Sequence, residues 1–156
     1  MNKKTRVSMD NIDKKILNML QEQLPFVEKP FEEIGKKVGL TGMQTMERVL
    51  RLKQDGIIRR IGPVLDPKKM GYTSLLCAAA IPPEHLEEIA LAVSAESSVT
   101  HNYERDGELN LWFTVTMKAK NDINRFIADL EKTYSIKIYR FPEKRTFKIK
   151  THFILK

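Results

Sequence analysis

Near the start of the chain, apolar residues recur at the spacing of an amphipathic helix. Asp10 lies just before this stretch and can cap it, so the pattern predicts a first helix that ends before Pro25. A second, shorter helix is predicted from Phe31 to Val38, because Gly39 is the type of residue that commonly ends a helix. The apolar positions of the first helix are Met9, Ile12, Ile16 and Leu20.

The third predicted helix has a defined start. Thr41 and Gln44 have the spacing of a capping box, and the helix is predicted to run to about Gln54. The residues from Ile57 to Ile61 then predict a strand. Three helices followed by a strand are the pattern of a winged helix-turn-helix domain. The apolar stripe of the third helix is predicted to contain Met46, Val49, Leu50 and Ile57.

A stretch rich in Pro and Gly, from Pro63 to Gly71, separates this domain from a second one. The predicted domains are residues 1–66 and residues 67–156, with the boundary near Pro67. The second domain has the order strand, helix, strand, strand, helix, strand, which is ferredoxin-like and makes the fold class α+β. Its predicted elements are Tyr72–Ile81, Pro83–Ser94, Val99–Arg105, Leu109–Met117, Asn121–Tyr134 and Ile136–Phe141.

Two details complete the prediction for the second domain. Asn121 is expected to cap the second helix, whose apolar face carries Ile123, Phe126, Ile127, Leu130 and Tyr134. A further strand is predicted from Arg145 to Leu155, where apolar and polar residues alternate. A polar strand face in contact with solvent accounts for His152, so this histidine is given no site role.

The candidate chemistry lies in the hairpin of the second domain. Asp106-Gly107 is a strong turn signal, and the residues on both sides are typical of strands. Strand alternation predicts that four residues of the first strand share one face. These residues are Val99, His101, Tyr103 and Arg105, whereas Thr100, Asn102 and Glu104 are predicted to share the other face. An imidazole, a phenol and a guanidinium in a row suit an anionic or metal-bearing ligand, although a structural strand histidine would show the same pattern.

Composition narrows the class of protein. The net charge of +7 and a pI of about 9.5 favour acidic partners, either nucleic acid or a small molecule with many carboxylates. No apolar run approaches the ~20 residues of a membrane span, and no signal-peptide core is present, so a cytoplasmic protein that does not enter the membrane is expected. Cys77 is the only cysteine, which excludes an intrachain disulfide and a multi-cysteine metal site.

The sequence lacks the motifs of most enzyme classes. It contains no G-x-G-x-x-G, no P-loop, no H-E-x-x-H and no recognisable nucleophile triad. An enzyme of this sequence must therefore rely on His, Tyr and Arg together with groups that the substrate brings. The alternative is DNA binding by the third helix, on or beside which Arg48, Arg51 and Lys53 lie.

Two motifs resemble those of a known family. His101-Asn102-Tyr103, followed by Arg105 and by Asn110-Leu111-Trp112-Phe113-Thr114, is similar to the signature of the siroheme decarboxylases. These are Lrp/AsnC-like proteins of the alternative haem and haem d1 pathways. Ile58-Arg59-Arg60-Ile61-Gly62 resembles an Arg-Arg-x-Gly string at the wing of the same proteins, although Pro63 stands where the family has a small residue. The domain order resembles the Lrp/AsnC architecture over nearly the whole chain. Transcription regulators of the Lrp/AsnC type share that architecture but not these motifs, so the motifs favour the enzyme.

The resemblance implies a reaction and a substrate. The family removes CO₂ without oxidation from the acetate groups at C12 and C18 of siroheme, giving 12,18-didecarboxysiroheme. No cofactor is expected beyond the iron that siroheme carries. The family works as two homologous subunits in one complex or as a fused pair, and a chain of this length matches one subunit. A heterodimer is therefore expected and a homodimer is the alternative, whereas sequence-specific DNA binding is not expected.

Site roles follow from the same resemblance. His101 is expected to be catalytic as the proton donor, or to ligate the substrate iron axially, and Tyr103 is the reserve donor. Trp112 is expected to contact the flat macrocycle, although either Trp112 or Phe113 is expected to be core. The residues expected to bind the substrate carboxylates and periphery are Arg59, Arg60, Asn102 and Arg105.

Overall fold

The computed structural model describes residues 8–147 and 152–155. These residues form two compact units. Unit 1 contains residues 8–63 together with residues 152–155, and unit 2 contains residues 64–147. The chain thus divides after Pro63, whereas the sequence predicted a division between residues 66 and 67. Residues 152–155 belong to the N-terminal unit.

Unit 1 contains the three predicted helices, α1 (Asn11–Glu22), α2 (Pro30–Val38) and α3 (Gly42–Gln54). Asp10 caps α1 by accepting a hydrogen bond from the Asp13 amide at 2.7 Å. Gly39 ends α2 in the left-handed conformation, with φ of 75°. Thr41 and Gln44 form the predicted capping box of α3. The helix-turn-helix prediction is therefore confirmed.

The predicted wing strand from Ile57 to Ile61 is wrong, since residues 57–61 form no strand. Gly56 takes a positive φ of 73° and turns the chain back over the end of α3. The amides of Ile57 and Ile58 both donate to the carbonyl oxygen of Leu52, each at 3.0 Å. These two amides complete the helix end, so they are not available to pair with a neighbouring strand.

The predicted apolar stripe of α3 is largely wrong. Val49 is buried, but Met46 and Leu50 are 40% and 49% exposed, and Ile57 is also exposed. The helix instead buries Thr45, Val49 and Leu52. Thr45 tolerates burial because its hydroxyl donates to the carbonyl oxygen of Thr41 at 2.9 Å. Helical periodicity alone did not identify which side of α3 faces α1 and α2.

The last predicted strand, Arg145 to Leu155, is not found in the residues that the structure describes; residues 148–151 lie outside that range. Residues 152–155 lie along α1 in unit 1. The Asn18 side-chain amide donates to the carbonyl oxygen of Leu155 at 3.0 Å and accepts from its amide at 3.2 Å. Gln21 makes the equivalent pair of hydrogen bonds with Phe153. Helix side chains thus satisfy backbone groups that a strand would have satisfied.

Unit 2 confirms the predicted ferredoxin-like order. Its four strands form one antiparallel sheet in the order β2-β3-β1-β4. The elements are β1 (Thr73–Ala79), α4 (Pro83–Ala95), β2 (Val99–Glu104), β3 (Leu111–Met117), α5 (Lys120–Tyr134) and β4 (Ile138–Phe141). Asn121 does not cap α5, because the helix begins one residue earlier and its N-cap is Ala119, which makes no side-chain bond.

The core of unit 2 lies between the helices and one face of the sheet. On β3, Leu111, Phe113 and Val115 are buried on this face, and they alternate with residues that are only partly buried. The remaining members of the buried cluster are Cys77, Ala79, Ile81, Ile89, Val93, Ile123, Ile127, Leu130 and Ile138. Alternation then assigns the other residues of each strand to the opposite face.

Candidate functional site

The face of the sheet opposite to α4 and α5 carries the candidate site of unit 2. Strand register places Tyr103 beside Trp112, and His101 beside Thr114. The same register places Ala78 beside Trp112 and Tyr139. This face, here called the open face, is formed by Leu76, Ala78, His101, Tyr103, Trp112, Thr114, Tyr139 and Phe141.

A β-bulge in β2 decides which residues reach the open face. Val99 pairs with the buried Val115, whereas His101 pairs with Thr114, so Thr100 is an additional residue in the strand. Val99 therefore packs on the core side. The prediction that Val99 shares a face with His101 is wrong, because strict alternation was assumed through the bulge.

His101 and Tyr103 lie together as predicted. Their ring centroids are 6.0 Å apart with an interplanar angle of 32°, and both side chains are exposed. The Nδ1 atom of His101 lies 3.0 Å from the Thr100 hydroxyl. The open face thus presents an imidazole and a phenol side by side.

Trp112 joins the two ends of the open face. Its ring stacks on Phe141 of β4 with centroids 5.3 Å apart, and the guanidinium carbon of Arg105 lies 5.6 Å from the ring centroid. The indole Nε1 donates to the carbonyl oxygen of Leu109 at 2.7 Å, which fixes the orientation of the ring. Phe113 is 1% exposed. The expectation that one of the two aromatic residues is core therefore holds, and Trp112 is the one on the open face.

Asn102 lies on the other face of the sheet. Its side-chain amide donates to the carbonyl oxygen of Ala90 at 2.8 Å and to the Ser94 hydroxyl at 3.0 Å, both on α4. Its Oδ1 atom is buried and has no hydrogen-bond partner among the residues that the structure describes. The predicted substrate-binding role does not fit this position, because the side chain attaches β2 to α4 and is on the face away from His101.

Arg59 and Arg60 belong to unit 1 and are exposed in the segment after α3. Arg60 donates to the carbonyl oxygen of Pro63 at 3.3 Å. Both guanidinium groups are accessible to an anionic ligand. The predicted site residues are thus divided between the two units. Unit 1 contains Arg59 and Arg60, and unit 2 contains His101, Tyr103, Arg105 and Trp112.

Three residues of the open face were missed by sequence reasoning. Tyr139, Phe141 and Leu76 are each about 40% exposed, with values of 41%, 40% and 40%. The signal for the first two was present, since Ile138-Tyr139-Arg140-Phe141 alternates and Ile138 is buried. Leu76 lies inside a continuous apolar run, so its sequence gave no indication of the exposed face.

The arginines of α3 are engaged in ion pairs within unit 1. Arg48 donates to Asp10 at 2.6 Å and to Asp13 at 2.8 Å, and Arg51 also donates to Asp13. Asp13 is 1% exposed. The pKa of Asp10 is lowered, first by the Asp13 amide and then by Arg48, and the pKa of Arg48 is raised by its hydrogen bonds to Asp10 and Asp13. These arginines stabilise the packing of α3 on α1.

The described residues offer little support for thiol chemistry or for a metal-ion site. Burial raises the pKa of the Cys77 thiol to about 12, so its reactive thiolate form is suppressed. Among residues 8–147 and 152–155, no cluster of three or more His, Cys, Asp or Glu side chains could hold a metal ion. No helix in these ranges has the length and apolar character to cross a membrane.

Comparisons with known proteins identify relatives for both parts of the chain. Residues 13–59 match the siroheme decarboxylase NirDL-like HTH domain, and residues 69–148 match the AsnC-like ligand binding domain. The siroheme decarboxylase NirG subunit of Paracoccus pantotrophus is 39% identical over 140 residues, which cover 90% of this chain and 89% of that protein.

The solved structures that resemble this one include a siroheme decarboxylase and a transcriptional regulator. The siroheme decarboxylase NirDL in complex with an iron-uroporphyrin III analogue has a TM-score of 0.65 and 31% identity. The match covers 92% of this chain and 48% of that chain, so this chain spans about half of its length. An AsnC family transcriptional regulator from Agrobacterium tumefaciens has a TM-score of 0.74 at 24% identity, with coverage of 93% and 96%, and shares the fold.

Proposed function

Because the chain belongs to the siroheme decarboxylase family, we propose that it is one subunit of an enzyme that decarboxylates siroheme. The reaction would convert the acetate groups at C12 and C18 into methyl groups and release CO₂, which makes the enzyme a carboxy-lyase. In each step the bond to the carboxyl carbon breaks, and its electron pair remains on the methylene carbon. The macrocycle delocalises this charge until a proton arrives, so the reaction needs one proton per acetate and no oxidant.

The open face is the observation that carries this proposal. Strands are about 4.8 Å apart, so four strands give a surface roughly 14 Å wide, which suits a flat macrocycle. Trp112 and Phe141 supply aromatic contact, and the Arg105 guanidinium beside Trp112 supplies positive charge near the macrocycle edge. His101 and Tyr103 supply the groups that can ligate iron or donate a proton.

The substrate carboxylates would be bound by arginines. Arg105 is available on the open face, and Arg59 and Arg60 are exposed on unit 1. Each charge-assisted hydrogen bond contributes roughly 1.5–3 kcal/mol. We expect the iron of siroheme to be the only metal that the reaction uses, and we expect the reaction to take place in the cytoplasm.

A homologous subunit is the partner that the open face would require. Apolar surface is exposed on one side of this small domain, at Leu76, Tyr103, Tyr139 and Phe141. Such a patch commonly marks an interface. A second sheet placed opposite this face would exclude water from the bound macrocycle. We propose a heterodimer with a homologous chain, and a homodimer is the alternative.

The alternative function, transcription regulation, has less support. Its basis is the AsnC-type fold, which regulators share. The Arg48 and Arg51 side chains that would contact DNA phosphates are paired with Asp10 and Asp13. In addition, α3 exposes Met43, which is 68% exposed and can make no ionic contact with a phosphate.

The proposal is tested by supplying siroheme anaerobically to the full chain, alone and together with its homologous subunit. Mass spectrometry should detect a product lighter by two carboxyl groups, together with released CO₂. His85→Ala is the matched control for the variant His101→Ala. His85 lies at the start of α4 away from the open face, so its replacement should leave turnover unchanged. Unchanged siroheme from the folded, assembled complex would refute the proposed activity.

A further inference from the structure

Asn102 lies between His101 and Tyr103 in β2, but its side chain is on the opposite face of the sheet and bonds to α4. We propose that Asn102 is a positioning residue, which fixes His101 and Tyr103 on the open face by attaching their strand to α4. The catalytic significance of this attachment rests on the proposed function. The attachment itself is a property of the free protein and is measured without substrate.

β2, the strand that carries His101 and Tyr103, lies at one edge of the sheet. It is paired with β3, and the β-bulge at Thr100 interrupts this pairing directly before His101. Backbone at a sheet edge, where hydrogen bonds are exposed and interrupted, opens more readily than backbone in a central strand. An attachment to α4 therefore limits the movement of β2, and Asn102 makes it from the residue between the two site residues.

The chemistry of the two acceptors fixes the orientation of the Asn102 amide. The carbonyl oxygen of Ala90 only accepts, so the atom that lies 2.8 Å from it is Nδ2 and not Oδ1. Nδ2 carries two protons, and it donates the second to the Ser94 hydroxyl oxygen at 3.0 Å. Ala90 and Ser94 are four residues apart, so they lie one turn apart on the same face of α4. The two bonds thus join one side chain of β2 to two successive turns of the helix.

Hydrophobic burial alone does not account for an asparagine at this position. Its Oδ1 atom is buried without a hydrogen-bond partner among the described residues, and such an acceptor lowers stability. Leucine has the same branched shape and would bury no polar atom. It would also leave no new unpaired group, because the Ala90 carbonyl oxygen accepts within α4 and Ser94 is exposed. Leucine lacks direction, since apolar contacts are non-directional, whereas two hydrogen bonds hold β2 at one position.

The position of β2 matters because proton transfer and metal ligation both depend on distance. Reacting atoms must approach to about 3–3.5 Å, and a displacement of about 1 Å can lower a rate by about 10²-fold. This requirement applies to His101 and to Tyr103, whichever of them donates the proton. Loss of the two Asn102 bonds should therefore lower activity without lowering the stability of the fold.

The first test is amide hydrogen exchange of the free full-length protein, measured residue by residue by NMR, together with denaturant unfolding. Each hydrogen bond changes a local opening equilibrium by about 2- to 13-fold, so Asn102→Leu should speed exchange of the β2 amides by at least about 5-fold. Exchange of the β1 amides should not change, and the midpoint of unfolding should not fall. Asn121→Leu is the matched control, because Asn121 is exposed on α5 and forms no cap. Unchanged exchange in β2, or a lower midpoint with equally faster exchange in β1 and β2, would overturn the proposal.

Ser94→Ala provides the same test if leucine is not tolerated at position 102. It removes one of the two acceptors at an exposed position of α4, where alanine is a strong helix former. Exchange of the β2 amides should rise by at least about 2-fold, and the midpoint of unfolding should not fall. Unchanged β2 exchange in Ser94→Ala would also overturn the proposal.

The second test is turnover of siroheme by the assembled complex under anaerobic conditions. Asn102→Leu should lower kcat/KM by at least about 10-fold, whereas Asn121→Leu should leave it unchanged. In a background that carries His101→Ala and Tyr103→Phe, Asn102→Leu should have no further effect, because the groups that it positions are absent. An unchanged rate in Asn102→Leu, or an equal loss in both backgrounds, would overturn the positioning role. Unchanged siroheme with the wild-type complex would instead refute the proposed function, and the exchange rates would still decide whether Asn102 holds β2.

Discussion

Replacing Asn110 with Ala should destabilise unit 2 without removing a group from the candidate site. Asn110 begins the motif Asn110-Leu111-Trp112-Phe113-Thr114, and its side chain is hydrogen-bonded to the backbone of Ile81. It accepts from the Ile81 amide at 2.8 Å and donates to the Ile81 carbonyl oxygen at 2.8 Å. These two bonds attach Ile81, two residues after the end of β1, to the residue before β3, the strand that carries Trp112.

The magnitude follows from the two bonds and from the burial of Ile81. Each hydrogen bond contributes about 1 kcal/mol net, and an unpaired buried amide costs about 1–3 kcal/mol. Ile81 is only 4% exposed, so water reaches its amide poorly after the substitution. The free energy of unfolding should therefore fall by about 2–4 kcal/mol for Asn110→Ala. In a unit of this size, each 1 kcal/mol lowers the melting temperature by roughly 4–8 °C.

The assay is denaturant unfolding followed by tryptophan fluorescence. Trp112 is the only tryptophan of the chain and lies in unit 2, so the signal reports on that unit. Asn121→Ala is the matched control, because Asn121 does not cap α5 and its loss should change the free energy of unfolding by less than about 0.5 kcal/mol. If Asn110→Ala lowers the free energy of unfolding by less than about 0.5 kcal/mol, the reasoning is refuted. A loss of about 1 kcal/mol for Asn121→Ala would instead indicate a cap.

The remaining predictions concern activity and assembly. His101→Ala should lower turnover by at least ~10²-fold if the imidazole donates the proton; if it ligates iron, absorption titration should show the loss in siroheme affinity. Arg59→Ala and Arg60→Ala should each weaken siroheme binding by about 1–3 kcal/mol while leaving the circular dichroism spectrum unchanged. Light scattering should show a stable dimer, of this chain with its homologous subunit or with itself, and a monomer at micromolar concentration in both cases would contradict this. Fluorescence anisotropy should show weak binding to random duplex DNA that falls steeply with salt, whereas a nanomolar site at physiological salt would favour the regulator.

Local signals in the sequence determined most of the elements. Capping residues, and glycines in the left-handed conformation, act within one helical turn. The starts of α1 and α3 were therefore predicted from Asp10 and Thr41, and the end of α2 from Gly39. Strand alternation and the turn at Asp106-Gly107 were sufficient for the βαββαβ order and for the pairing of β2 with β3. The same local reasoning correctly placed His101 and Tyr103 on one face.

Tertiary structure alone decided which partner each group has. The bulge at Thr100 depends on the register of β2 against β3. Val99 therefore lies on the core face, although strand alternation predicted that it shares the face of His101. Arg48 and Arg51 were candidate DNA contacts in the sequence. In the structure both form ion pairs with Asp13, which is distant in sequence. Asn102 was predicted to bind the substrate, yet its side-chain amide donates to the carbonyl oxygen of Ala90. Such pairings depend on distances between segments that are far apart in sequence, and the pattern of residue types within each segment carries no information about those distances.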